Sequence, residues 1–522
     1  MKTGANARRL AALGLGCALL AAACVDRDAR TITRAALEDK IRGGWAGKMI
    51  GVSYGAPTEF RYNGRINEDE IDWSPERVAN ALTQDDLYVG MTLAEAMDRL
   101  GFEATTAQYG DAFKNSQYDL WHANAGARRL LNLGIEAPWS GYPARNIHAN
   151  DIDFQIEADF IGLMCPGLPR QSNAFCERVG RVMSHGDGLY GGMFVSGMYA
   201  AAYFETDVRR VVEGGLACLP AASAYARVVR DVLEWSAQHP DDWRRVWRLL
   251  QDRWDRDDGC PDGALRPFNI DAKINGAYVA LGLLYGRGDF GRTIEIATRA
   301  GQDSDCNPST SGGILGVMLG YSGIPDVWKS GIPAVAGETF QFTRSSLDDV
   351  CRSTVARALR LVRLAGGSVG RDAVRVPFQP PEPPALEQWE MGVPERRIGV
   401  EDAAWRFTGF TDPGHGGPGG PTSRMQANGP GAEALLTFTG AAVAITGDIG
   451  VDGGRADVYL DGAKAEPIDA YAGPRTHDND LWHAYGLAQA PHTLRIVPRG
   501  EADPRSTGTR IAVTGAVVYR AR

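Results

Sequence analysis

The sequence predicts a multidomain chain: an all-α domain followed by a β-sandwich of jelly-roll-like character. Two changes of texture carry this reading. From about residue 31 to 366, apolar residues recur at three- and four-residue spacing, as in Leu93 to Leu100, Val228 to Trp235, Trp243 to Trp254 and Leu347 to Leu364. After the proline-rich stretch Val376 to Pro384, short alternating segments bounded by Gly, Asp and Pro take over.

The N-terminus opens with Lys2, Arg8 and Arg9, then an apolar run from Leu10 to Ala23 that meets Cys24. This is the pattern of a secretory signal over residues 1–23, and Ala21-Ala22-Ala23-Cys24 resembles a lipoprotein box with Cys24 as the anchor. An exported, periplasmic or outer-membrane lipoprotein is expected, touching the membrane only through that lipid. Removing the segment removes three cations and moves the formal charge from −9 to −12. An acidic balance excludes nucleic acid as the main partner. Beyond Cys17 and Cys24, the cysteines at 165, 176, 218, 260, 306 and 351 have no zinc-type local spacing.

The helical domain is read over residues 31–366 and a stiff, extended linker over 367–395. The sandwich follows over 396–522, with strands expected at 405–410, 434–439, 442–446, 456–460, 492–497 and 511–519. Asp461-Gly462 is a hairpin signal. Trp405, Tyr471, Trp482 and Tyr485 suit either sugar stacking or core packing, core packing being the commoner use.

Chemistry-bearing residues concentrate in the helical part. Gly301 to Pro308 places Asp303 and Asp305 on a Gly-led loop, with Asn307 and Pro308 as expected cap and first residue of the next helix. Two loop carboxylates supply hard oxygen ligands for Mg²⁺, Mn²⁺ or Ca²⁺, and equally cap helices. Glycines 44, 47, 51 and 55 share one helical face, and Pro57 ends that helix ahead of Glu59. Thr83 is the expected cap of a helix that opens with Asp85 and Asp86; two acids there favour the helix dipole or hold a cation. Asp151 and Asp153 begin an acid-rich helix, and His185, Gly186 and Asp187 form a Gly-flanked pair.

Together these stretches resemble the ADP-ribosylglycohydrolase family over roughly residues 36–335. The family pattern is a Gly-rich helix ending ahead of a Glu, a Thr-Asp-Asp set, and a Gly-Asp-Thr-Asp-Thr loop before a small-residue helix. Its counterparts are Gly51 to Glu59, Gln84-Asp85-Asp86, and Gln302-Asp303-Ser304-Asp305-Cys306; Gly323 to Trp328 resembles the family's close. The resemblance implies an all-helical fold holding one or two Mg²⁺, with Gln84, Asp85, Asp86, Asp303, Asp305 and Cys306 as the ligand set. Gln84 and Cys306 replace the family's threonines and Val52 its Asp. A thiol is a poor Mg²⁺ partner.

The implied chemistry is metal-dependent hydrolysis of an O- or N-glycosidic bond, with Glu59 as acid/base and Asp151 or Asp153 as a second carboxylate. His185, Asp187, Tyr190 and Asn275 are candidate substrate contacts. An exported chain meets glycans rather than ADP-ribosylated protein, so a ribosyl or arabinosyl furanoside is the expected substrate. The alternatives are an ADP-ribosyl-protein hydrolase and a non-catalytic sugar- or nucleotide-binding lipoprotein.

Overall fold

The computed structural model describes residues 29–255, 259–414, 423–477 and 479–522; the signal segment and Cys24 lie outside them. The helical domain is built on one tight pair. The first helix, Arg34–Gly55, is capped by Thr33, whose hydroxyl accepts the Ala36 N–H at 3.1 Å. Its glycine face lies on the helix Cys306–Gly323, backbone against backbone. A Cβ on Gly47 would stand 2.2 Å from the Gly312 carbonyl oxygen, and one on Gly51 2.0 Å from that of Pro308. Glycine at that spacing is therefore a packing requirement. Two further helices, Asp187–Ala202 and Ala272–Gly286, are apolar and buried around nearly their whole circumference. Such helices belong at the centre. Outside them lie amphipathic helices such as Val208–Leu216, Ala224–Gln238 and Trp243–Trp254, each burying one face.

Two expectations need correction. Helix Cys306–Gly323 begins at Cys306 with Asp305 in the cap position, so Asn307 and Pro308 are already helical. Helix Asp85–Leu100 is preceded by Gln84, not Thr83, in the cap position; Thr83 closes a 3₁₀ turn and its hydroxyl donates to the Asn80 carbonyl. A small sheet flanks the helices. Ala29–Thr33 pairs antiparallel with Ala373–Pro377, which takes Ser368–Val369 on its other edge. Those strands bury Ile32, Val374 and Val376, the last two alternating with more exposed neighbours.

The proline-rich stretch carries no regular secondary structure over residues 378–392, and it does not hang free. It lies along the helical domain as a strap. Arg170 donates to the Pro380 carbonyl, Asn173 to that of Glu382, Tyr190 to that of Ala385, and Arg181 pairs with Glu387.

The C-terminal region is a two-sheet antiparallel sandwich. One sheet runs in the order Asp480–Ala484, Ala442–Asp448, Ile511–Arg520 and Val393–Gly399, with Met425–Ala427 also on Ile511–Arg520. The other runs Ala463–Lys464, Gly454–Leu460, Ala490–Ala502, Glu433–Gly440 and Trp405–Thr408. Leu436, Val458, Leu494 and Ile496 meet Val443, Ile445 and Val513 between the sheets. Asp461 and Gly462 both have positive φ, the conformation a two-residue hairpin needs. Trp405 and Trp482 are buried in this core. The sandwich docks on the helical domain: Leu120–Trp121 pairs with Thr476–His477, and Tyr519 Oη donates to the Gly259 carbonyl at 2.9 Å.

Candidate metal centre

Three separate segments deliver the acids to one place. The first helix ends at Gly55, a 3₁₀ turn through Pro57 follows, and Glu59 comes next. This turn is stitched to the Asp303 loop. Phe60 N–H donates to the Gln302 carbonyl at 3.1 Å, and the Thr58 and Ser304 hydroxyls are 2.8 Å apart. The loop itself turns through Gly301, whose φ of 83° and close approach to the Tyr62 carbonyl leave no room for a Cβ. Asp85 and Asp86 enter from the start of their helix.

Single ligand atoms of Glu59, Asp303 and Asp305 lie within 4.8 Å of one another, and so do those of Asp86, Asp305 and Cys306. Asp305 belongs to both groups. Among the described residues, Asp86 Oδ1, Asp303 Oδ1 and Asp305 Oδ1 are buried with no hydrogen-bond partner. Buried anionic oxygens cost free energy unless a charge or donor meets them. The carboxyls respond accordingly. Glu59 differs in being solvent-exposed as a residue, but its carboxyl faces the acids, and desolvation on that side, then Asp303, Asp85 and Asp86, push it up to about 8. Burial and Asp86 raise Asp85 to about 7, and the same causes raise Asp303 to about 6. Burial and Asp303 hold Asp305 well above the usual carboxylate range.

Cys306 and Gln84 stand apart from a hard-ligand set. The Cys306 thiol donates to Asp86 Oδ2 at 3.1 Å, and burial keeps it protonated by raising its pKa well above the ordinary thiol value. Gln84 turns its amide back to Asn80 Oδ1 at 2.9 Å. The carboxylates are therefore the donors that fit a hard divalent cation.

Sequence reasoning missed two charged groups beneath this centre. Lys48 is buried, 2.9 Å from Asp159 Oδ2 and 3.8 Å from Asp86 Oδ1, and it donates to the Ile156 carbonyl at 3.0 Å. Burial works against its ammonium, but Asp159 and Asp86 outweigh that and raise its pKa. Glu157 is also buried, accepts from Asn124, and is held well above the usual range by burial and then by Asp153 and Asp85. A lone Lys on an otherwise small and apolar helix face was the available signal for the first.

The remaining candidates divide. Asp153 accepts the Ala123 and Asn124 N–H groups at 3.2 and 3.0 Å, capping the helix His122–Asn132; burial and Asp151 raise it to about 7. Asp151 instead faces His148 at 2.8 Å. Asn275 receives the Asn307 amide at 2.9 Å and so supports the acid loop from behind. Asp187 accepts the Tyr225 N–H at 3.0 Å, is 3.5 Å from Lys273, and lines a cavity of about 270 Å³ together with Asp151, Asp271 and Trp389. Tyr190 and His185 serve the strap. Tyr190 Oη accepts the Glu387 N–H at 2.7 Å. His185 is pushed down to about 4 by burial and by Arg181.

A family model described as ADP-ribosylglycohydrolase matches residues 33–364. The chain belongs to this family. Among curated proteins, an A type blood N-acetyl-alpha-D-galactosamine deacetylase of Flavonifractor plautii is 36% identical over 96 residues, 18% of this chain and 12% of its own length. An A type blood alpha-D-galactosamine galactosaminidase of the same organism is 38% identical over 73 residues, 14% of this chain and 7% of its own. The chain thus spans only a small part of either relative. A solved ADP-ribosylglycohydrolase-related protein complex shares 15% identity and a TM-score of 0.39, covering 62% of this chain and 98% of that one. A two-domain esterase active on acetylated mannans covers 26% of this chain and 41% of its own at a TM-score of 0.20. As an ADP-ribosylglycohydrolase family member, the chain is of hydrolase-like type.

Proposed function

We propose that this protein hydrolyses a glycosidic bond, O- or N-linked, over one or two hard divalent cations of the Mg²⁺ or Mn²⁺ class. The observation that carries the reading is the convergence of Glu59, Asp85, Asp86, Asp303 and Asp305 from three segments, with a buried oxygen on each of Asp303 and Asp305 that no hydrogen bond meets. Asp85, Asp86, Asp303 and Asp305 would hold the ions; such ions supply positive charge that orients sugar hydroxyls and lowers the pKa of a water. Lys48 and the Cys306 thiol fix the orientation of Asp86 from below and from the side. Glu59 sits at the solvent end of the cluster and carries the proton between the glycosidic oxygen or nitrogen and water.

The substrate we infer is a pentofuranoside, ribosyl or arabinosyl, in an extracytoplasmic glycan or glycoconjugate. The family supports the furanoside; the signal-like residues 1–23 with Cys24 support the compartment. The galactosamine-directed names of the two curated relatives extend the panel to hexosaminides. The family description itself favours a second reading, release of ADP-ribose from protein side chains. Purified protein with Mg²⁺ or Mn²⁺ should release sugar from pentofuranosides. Cleavage of ADP-ribosyl-arginine or -serine with none of the furanosides would overturn the substrate assignment, and no hydrolysis of any panel member would leave a binding protein.

A further inference from the structure

A second set of metal-type side chains lies where the sandwich meets the helical domain. His122, His148, Asp151 and Cys260 each bring one ligand atom within 4.8 Å of the others. His148 Nδ1 is 2.8 Å from Asp151 Oδ2 and 3.4 Å from Cys260 Sγ, while His122 Nδ1 is 3.7 Å from the same Asp151 oxygen. All except His122 are almost fully buried, and His122 keeps only 16% side-chain exposure. The hard-ligand acids of the candidate centre are not part of this group.

Two physical points single it out. A ring nitrogen has one in-plane direction, for a proton or for a lone pair, so His148 Nδ1 cannot satisfy both Asp151 and Cys260 by ordinary hydrogen bonding. A cation at the middle serves both at once. The spacing is near what an ion requires: metal–ligand bonds of about 2.0–2.3 Å in a tetrahedron put N and O ligands roughly 3.3–3.5 Å apart and N and S roughly 3.5–3.6 Å apart; the 3.4 and 3.7 Å separations lie within about 0.2 Å of this, and the 2.8 Å His148–Asp151 pair opens by about 0.5 Å to admit the ion. A thiolate and a carboxylate with two neutral imidazoles would make a divalent ion's site neutral, which a buried position requires.

We propose that His122, His148, Asp151 and Cys260 form a tetrahedral site for a borderline transition-metal ion of the Zn²⁺ class. The ligands come from three segments. His122 opens the helix His122–Asn132, His148 and Asp151 lie on one turn, and Cys260 sits in a loop. The same turn and loop carry Ile147 and Ala264, which pack on Met391 at the end of the strap and on Ala442 and Tyr519 of the sandwich. The ion therefore ties together the surface on which the sandwich rests, a closed structural site rather than the reacting centre.

The test uses the full-length protein after removal of metals by chelation, titrated with Co²⁺, which takes tetrahedral zinc sites and gives a near-ultraviolet charge-transfer band when a thiolate binds it. The expected result is a band that saturates at one equivalent and is displaced by Zn²⁺. Cys260→Ser should abolish it, while Cys306→Ser and Asp303→Asn leave it intact. His122→Gln, at the most exposed ligand, should lower Co²⁺ affinity by at least the roughly 10–100-fold lost when a supporting group of a metal site is removed, and it decides the matter if Cys260→Ser fails to fold by circular dichroism. No band in the unaltered protein, a band that persists in folded Cys260→Ser or an unchanged affinity in His122→Gln would overturn the proposal. So would a band removed by Cys306→Ser, which would assign it to the acid cluster.

Discussion

Lys48 is the residue that lets so many carboxylates share one interior. It stands between Asp86 and Asp159 with its ammonium out of water. Removing one partner of a buried ion pair leaves the other charge uncompensated, which costs about 3–5 kcal/mol. Lys48→Met should therefore lower the midpoint of chemical denaturation by an amount worth that much, while Arg34→Met, in an exposed pair with Glu38, should change it by less than about 1 kcal/mol. Equal effects would deny Lys48 this role. At this scale the acids were legible because the family resemblance fixes their order and spacing. Lys48 was not, since nothing local to Gly44–Gly51 says that Asp159 will face it. His122, His148 and Cys260 were hidden for the same reason: their spacing in the chain follows no local metal motif, and only the folded turns bring them together.

The helix pair Arg34–Gly55 and Cys306–Gly323 sets the distance between Glu59 and the Asp303 loop. A methyl group on its glycine face has nowhere to go, so Gly47→Ala should cost at least about 1–3 kcal/mol, the usual penalty of overpacking. Gly337→Ala is the control; a Cβ there meets nothing within 4 Å, and its denaturation midpoint should stay unchanged. If Gly47→Ala matched that control, close backbone contact would not be what holds the frame. The glycine spacing announced this packing in the sequence. Helix starts were less legible: Thr83 looked like a cap, yet its hydroxyl serves its own 3₁₀ turn and the cap position falls to Gln84. The hydrogen bonds that lay the strap on Arg170, Asn173 and Tyr190 involve backbone carbonyls, which composition does not encode.

For the molecule as a whole, the acid cluster trades stability for binding. Asp85 goes from an ordinary value near 3.8 to about 7 on folding, and Asp303 from 3.8 to about 6. A carboxyl raised in this way binds its proton more tightly in the folded state. Its contribution is present below the unfolded pKa and is lost as pH rises through the folded one. The metal-free protein should therefore lose stability between about pH 4 and pH 7 on account of these groups, and Asp85→Asn should flatten that loss. Thermal denaturation of chelated protein across the range checks it; a variant that follows the unaltered protein's slope would contradict it. Added Mg²⁺ should restore stability on the alkaline side, where the carboxylates are free to bind it.

The two-domain architecture was legible from periodicity alone, whereas the seating of the sandwich on the helical domain was not, because contacts such as Tyr519 to Gly259 join residues with no shared sequence pattern. The most direct measurement for the account is Mn²⁺ binding to the chelated protein, followed by the loss of the free-ion paramagnetic resonance signal, in the unaltered chain and in Asp86→Asn and Asp303→Asn. The account predicts saturable binding that either substitution weakens by roughly tenfold or more, each having removed a charged ligand worth at least about 1.4 kcal/mol. Undiminished binding in both variants would contradict it, because the two acids would then not be gripping one shared site.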